Sequence, residues 1–86
     1  MNRIALFTSF YFATSAEKAM RKAAIPTRLI STPPALKHAC GLCLLFGSEH
    51  LADFLAALRE NNISHSGIYT YDGPTGKSEK IQIEMD

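Results

Sequence analysis

The chain has two cysteines, Cys40 and Cys43, and both fall in the stretch "PALKHACGLCLLF". Two thiols at this spacing serve four kinds of chemistry: a disulfide, part of a metal site, a working nucleophile beside a bystander, or packing. If residues 40–43 run extended, their alpha carbons lie about 10 Å apart and their side chains face opposite sides of the sheet. A disulfide needs alpha carbons within about 7 Å. Gly41 would have to turn the chain to close that gap. A thioredoxin-type C-x-x-C opens a helix, whereas this one opens an apolar run. Zinc requires about four ligands, and Cys40, Cys43 and His38 would have to recruit His65 or His50 from across the fold. The chain has no second C-x-x-C and no H-x-x-x-H to complete such a set. Neither a metal nor a cofactor is expected.

The two thiols differ in setting. Cys43 sits inside "LCLLF" and reads as a small buried hydrophobe. Cys40 stands where a loop meets that run, and Gly41 leaves space beside its sulfur. Lys37, His38 and the N-terminal end of the first helix would favour the thiolate, the form that attacks or carries another chalcogen. On residue chemistry alone, a functional and a structural Cys40 are equal readings. His50 falls in the first turn of a helix, where a cation is disfavoured and no partner is evident. His38 and His65 are expected near the same edge as Cys40, with surface solvation as their plain role. Phe10, Tyr11 and Phe12 read as core or sheet-edge packing.

The elements that position these residues follow from periodicity. "RIALFTSF" alternates Ile4 and Leu6 against Arg3 and Ala5, as a strand does. "SFYFATSAEKAMRKAA" then switches to a helical stripe of Ala13, Ala16, Met20 and Ala23, with Ser9 as N-cap and the cations late in the helix. "IPTRLISTPP" is a second strand that Pro33 and Pro34 end. Residues 33–41 form a loop, with a helical turn around 35–39, before the strand "LCLLF". Ser48 is read as the cap of "EHLADFLAALRENN", whose Leu51, Phe54, Leu55 and Leu58 form a stripe and whose Asn61-Asn62 stops it. "ISHSGIYTY" is a fourth strand, and "DGPTG" a turn.

The order β-α-β-β-α-β is the ferredoxin-like pattern, an α+β two-layer sandwich with both helices on one face of an antiparallel sheet. Residues 1–71 read as a single domain, and 72–86 as a turn plus a C-terminal edge strand or a flexible tail. With right-handed crossovers, the loop after the second strand lies at the end of the sheet where the first helix begins. Residues around Ser9, 37–41 and 62–66 are therefore expected to gather there.

Composition bounds the function classes. Eighty-six residues suffice for one modest core, which buries roughly 60 to 65% of the unfolded surface. Hydrophobic residues make up 47% and charged residues 20%, ordinary values for a folded chain. The longest apolar stretch, residues 41–47, is far below the ~20 residues of a membrane helix. The net charge of +1 argues against a general nucleic-acid binder. Residues 1–43 hold six basic residues and one acidic, and residues 44–86 hold three and seven, so the halves differ in sign. The plain reading is solvated faces, and the sharper one is steering of an anionic substrate or acidic partner. "MNRIALFTSFYFATSA" has the look of a short signal peptide, but cleavage would remove the first strand. Two cysteines make no secreted staple set, so a reducing cytoplasm is expected.

"LFTSFYFATSAEKAM", "STPPALKHACGLCLLF" with Thr32-Pro33 before Cys40-Gly41, "SEHLADFLAALRENNI" and "SGIYTY" together resemble a small bacterial family of selenium/sulfur carrier-like proteins, over about residues 4–71. The resemblance implies that Cys40, followed by Gly41, is the carrier residue, with Cys43 an extra. Family members often carry a basic residue after the Thr-Pro and another before the strand-ending Phe. This chain has Pro34 and Leu45 there, leaving Lys37 to compensate. The implied function is an accessory rather than an enzyme with its own turnover. It would hold sulfur or selenium on Cys40 as a persulfide or perselenide, between donor and acceptor proteins. The competing reading is a regulatory or interaction module, homodimeric or partner-bound through an uncovered sheet face bearing Phe7, Ile30 and Leu45. A third is a redox or metal module using both cysteines.

Overall fold

The computed structural model describes residues 1–36 and 39–81. Lys37 and His38 therefore lie outside the described residues, as do residues 82–86. The strands are β1 (Arg3–Leu6), β2 (Arg28–Ser31), β3 (Leu42–Phe46), β4 (Gly67–Thr70) and β5 (Lys80–Ile81). The helices are α1 (Phe10–Lys22) and α2 (Leu51–Glu60), the latter entered through a 3-10 turn at Ser48–His50. The sheet order is β2-β3-β1-β4-β5, and every neighbouring pair is antiparallel. The molecule is thus α+β, with a five-stranded antiparallel sheet and two helices. Among the described residues no helix is long and apolar enough to cross a membrane.

Helix α1 forms where its local code says it should. The Ser9 hydroxyl accepts a hydrogen bond from the Phe12 N–H at 3.2 Å, and Arg21 and Lys22 lie in the last turn, where the helix dipole favours cations. Ala13, Ala16, Ala19 and Met20 are its buried face. Ala23, expected on that stripe, instead caps the C-terminus and is exposed. Helix α2 stops at Asn61, and Asn62 takes the left-handed conformation (φ 56°) that short polar side chains tolerate.

Ser48 does not cap α2. Its hydroxyl accepts from the Asn2 amide at 3.4 Å and its N–H donates to Asn2 Oδ1 at 2.9 Å. These contacts tie the α2 entrance to the start of the chain, a partner 46 residues away that a local reading does not see.

Strand alternation splits the interior into two clusters. Ala5, Phe7, Leu44, Phe46 and Ile68 pack with α1 and α2 through Ala13, Ala16, Met20, Phe54, Ala57 and Leu58. Phe46 and Phe54 stack at its centre, with ring centroids 4.0 Å apart and planes 7° from parallel. On the other face, Ile4, Leu6, Cys43, Leu45 and Tyr69 form a second buried cluster. Leu36 and Ala39, from the connection between β2 and β3, pack against it together with Ile30 and Tyr71.

That second cluster corrects the expectation of an uncovered face bearing Phe7, Ile30 and Leu45. Phe7 shares the parity of Ala5 and belongs to the helix side, wholly buried. Leu45 is buried and Ile30 half-buried on the far side, where Leu36 and Ala39 pack over them. Burial on both faces suits strands as uniformly apolar as "LCLLF".

Candidate functional site at the neck of the β2–β3 loop

The end of β1 organises the site. After Leu6, the Phe7 carbonyl accepts from the Cys40 N–H at 2.8 Å, and the Leu6 carbonyl accepts from the Ser66 N–H at 2.7 Å. Residues 40 and 66 thus flank the exit of β1, whose chain turns at once into the N-cap of α1. Of the residues expected to gather here, around Ser9, 37–41 and 62–66, these two bonds place Cys40 and Ser66 at the end of β1, while Asn62 and Ile63 line a groove along α1 and Lys37 and His38 lie outside the described residues.

Thr32 closes the neck of the loop. Its N–H donates to the Gly41 carbonyl at 2.9 Å and its hydroxyl to the Cys40 carbonyl at 2.8 Å. The β2–β3 ladder ends at the pair Ser31–Leu42, and the Thr32 bonds carry it one step further on side-chain as well as backbone groups. Pro33 follows and cannot donate to a ladder, which explains why the chain departs there. Thr32 was legible only as half of a Thr-Pro pair. Its role needed the three-dimensional position of a residue eight places on.

Cys40 is thereby held by its N–H on Phe7, just after β1, and by its carbonyl on Thr32, just after β2. Its side chain is half-buried against the helix-side cluster, and its Sγ–H donates to the Leu42 carbonyl at 3.0 Å. Cys43 lies wholly buried in the far-face cluster. The two sulfurs therefore belong to opposite faces of the sheet, and both thiols are free.

Burial pushes the Cys43 thiol up to about 11. The Thr32 hydroxyl beside it pulls the other way and neighbouring Cys40 adds to the rise. At neutral pH Cys43 is protonated and shielded, a poor nucleophile on both counts.

Gly41 is exposed, and a Cβ built on it would meet only the Phe10 ring, at an ordinary 3.9 Å. Nothing within the fold demands glycine at this position, and the open side faces solvent. Phe10 and Tyr11 are 60% and 72% exposed, which removes the core half of their expected core or sheet-edge packing; of the three aromatics only Phe12 packs against the core. They occupy the first turn of α1, and a helical face cannot turn three successive residues inward.

His65 and Ser66 occupy the other flank. Burial lowers the His65 pKa, and its Nδ1 and the Ser66 hydroxyl are buried without a hydrogen-bond partner among the described residues. His50 sits on the opposite side of the sheet's length, 3.9 Å from Glu49. Among the described residues no three His, Cys, Asp or Glu side chains come together as metal ligands. The proposed helpers Lys37 and His38 fall outside the described residues.

Fold and site together define a small α+β protein with one half-exposed thiol at the end of its sheet and one sealed beneath it. Residues 2–70 match the family described as "Putative Se/S carrier protein-like", and the chain belongs to that family. No curated protein and no solved structure matches it.

Proposed function

We propose that this protein is a sulfur or selenium carrier that holds the atom on Cys40 and passes it to a partner enzyme. The observation that carries the reading is the contrast between the thiols: Cys40 half-exposed beside open Gly41, Cys43 buried and held protonated. Family membership supports the same assignment.

In loading, the Cys40 thiolate attacks the outer sulfur of a donor persulfide. The new bond joins Cys40 Sγ to that sulfur, the donor's S–S bond breaks, and the donor leaves as a thiolate. A donor carrying terminal selenium reacts in the same way. Delivery reverses the step on an acceptor thiolate. The Sγ–H bond to the Leu42 carbonyl must be given up first, because a thiolate cannot donate it. Lys37 and His38, three and two residues before Cys40 in the sequence, are the groups proposed to favour the charge so formed. Gly41 leaves room for the incoming donor.

The interleaved strand order, with β3 between β2 and β1 and β1 between β3 and β4, supports a ferredoxin-like classification. In this reading residues 1–71 are the working unit, β5 is an edge addition, and two free thiols fit a reducing cytoplasm.

The test is intact mass after exposure to inorganic polysulfide or a small perselenide, for wild type, Cys40→Ser and Cys43→Ser. An adduct of one chalcogen atom that disappears only in Cys40→Ser is the expected result. No adduct, or equal loss in both variants, overturns the carrier reading.

A further inference from the structure

A groove of about 260 Å³ runs along α1. One wall is the stripe Tyr11, Ser15, Lys18 and Lys22, spaced by four, three and four residues and so on one helical face. The other wall is the exit of α2 at Asn62 and Ile63.

The charge in this groove is unbalanced. Lys18 and Lys22 are one helical turn apart, have no ion-pair partner among the described residues, and repel each other. On the neighbouring face of the same helix, Arg21 is paired with Glu17 at 3.6 Å. The groove between the end of α1 and α2, by contrast, is lined by Asp53 and Glu60. A free ammonium pair beside an exposed tyrosine thus marks this groove and not the one beside Asp53 and Glu60.

The same helical turn links groove and thiol. Phe10 lies over Gly41, and Tyr11, the next residue, opens the groove. These are the large exposed aromatics of the described residues, and they form a bridge of apolar surface from the Cys40 edge to the two lysines.

We infer that this groove docks an acidic segment of the protein that exchanges sulfur or selenium with Cys40, carboxylates meeting Lys18 and Lys22 and an apolar side chain resting on Tyr11. The inference builds on the carrier reading. Exposed charge pairs and one aromatic contact give fast, salt-sensitive, short-lived association. A carrier needs that property, since it must leave each partner after transfer.

The experiment titrates the ¹⁵N-labelled full chain with the peptide Glu-Glu-Phe-Glu-Glu and, separately, Gln-Gln-Phe-Gln-Gln, following backbone amide shifts. Wild type, Cys40→Ser and the double variant Lys18→Glu/Lys22→Glu are compared, with circular dichroism confirming that each is folded. Expected are saturable shifts centred on Tyr11, Ser15, Lys18, Lys22 and Ile63, unchanged in Cys40→Ser. Affinity should fall at least tenfold in the double variant and at least tenfold with the glutamine peptide.

Equal binding of the two peptides, shifts centred on other residues, or an undiminished affinity in the double variant overturns the proposal. So does a dilution series in which the same amides report a second copy of the chain in the groove. Sulfur loading separates the two readings: groove binding with no adduct on Cys40 overturns the carrier assignment alone, and a normal adduct without groove binding overturns the docking site alone.

Discussion

The Thr32 hydroxyl donates to the Cys40 carbonyl at 2.8 Å, closing the loop whose far end carries Leu36 and Ala39 onto the second face of the sheet. One side chain therefore holds both the thiol's backbone and the neck of the cover. Thr32→Val keeps the shape and removes the donor, leaving a partly buried carbonyl unpaired. Urea unfolding should show a loss of about 1 to 2 kcal/mol, with faster amide exchange at Cys40 and Gly41. A variant as stable as wild type would show that the backbone bonds alone close the neck.

Gly41→Ala separates access from folding. The added methyl meets the Phe10 ring at ordinary contact distance, and the position has no left-handed backbone to strain. The melting temperature should stay within about 4 °C of wild type, since such surface changes fall within about 0.5 kcal/mol. Persulfide loading from a protein donor should slow while alkylation by a small iodoacetamide does not. Equal loading rates would remove Gly41 from the site.

Cys43 ties stability to alkaline pH. Its folded pKa is about 11 against an ordinary value of 9.0, so the unfolded chain releases the proton first as pH rises. Stability from this group is complete below pH 9 and is lost between 9 and 11, up to about 2 to 3 kcal/mol on a shift of this size. Cys43→Val, apolar and similar in volume, should flatten that part of the profile relative to wild type in chemical denaturation at pH 8 to 11. Parallel profiles would mean that the thiol ionises as easily folded as unfolded.

His65 acts at the other end of the scale. Burial depresses its folded pKa, so protons bind the unfolded chain preferentially. The stability it lends is full above about pH 6.5 and declines as pH falls below that value. His65→Gln should lessen the drop in melting temperature between pH 7 and 5. An unchanged drop would assign the acid sensitivity to the carboxylates.

The stacked pair Phe46 and Phe54 holds the sheet to α2, and both rings are wholly buried. Phe54→Ala should cost about 3 to 5 kcal/mol, a large share of the roughly 5 to 15 kcal/mol that keeps a domain folded. Calorimetry should find a much lower melting temperature. A shift of only a few degrees would mean that neighbours collapse into the cavity.

Amino-acid order alone determined the features whose causes lie within a turn or two of the chain. Ser9 caps α1 because its acceptor is three residues from the donor, β3 is the run "LCLLF", and Asn61-Asn62 ends α2 because asparagine tolerates the left-handed turn. Cys43 lies within that run, whereas Cys40 precedes it across a bend at Gly41, so its place in the helix-side cluster is not a matter of strand period.

Tertiary structure decided what depended on distant partners. Alternation within each strand leaves open that Phe7 and Leu45 lie on opposite faces, because that depends on the register pairing Ile4 with Leu45, and it leaves open that Leu36 and Ala39 pack over the face away from the helices. Ser48 has the chemistry of a cap, yet Asn2 takes its hydroxyl from the far end of the chain. Phe10 and Tyr11 have the hydrophobicity of core residues but stand exposed, because α1 turns its alanines to the sheet and leaves no inward position for them. Thr32 and Cys40 meet only because β2 and β3 pair, and that pairing is a contact between strands, which no local propensity encodes.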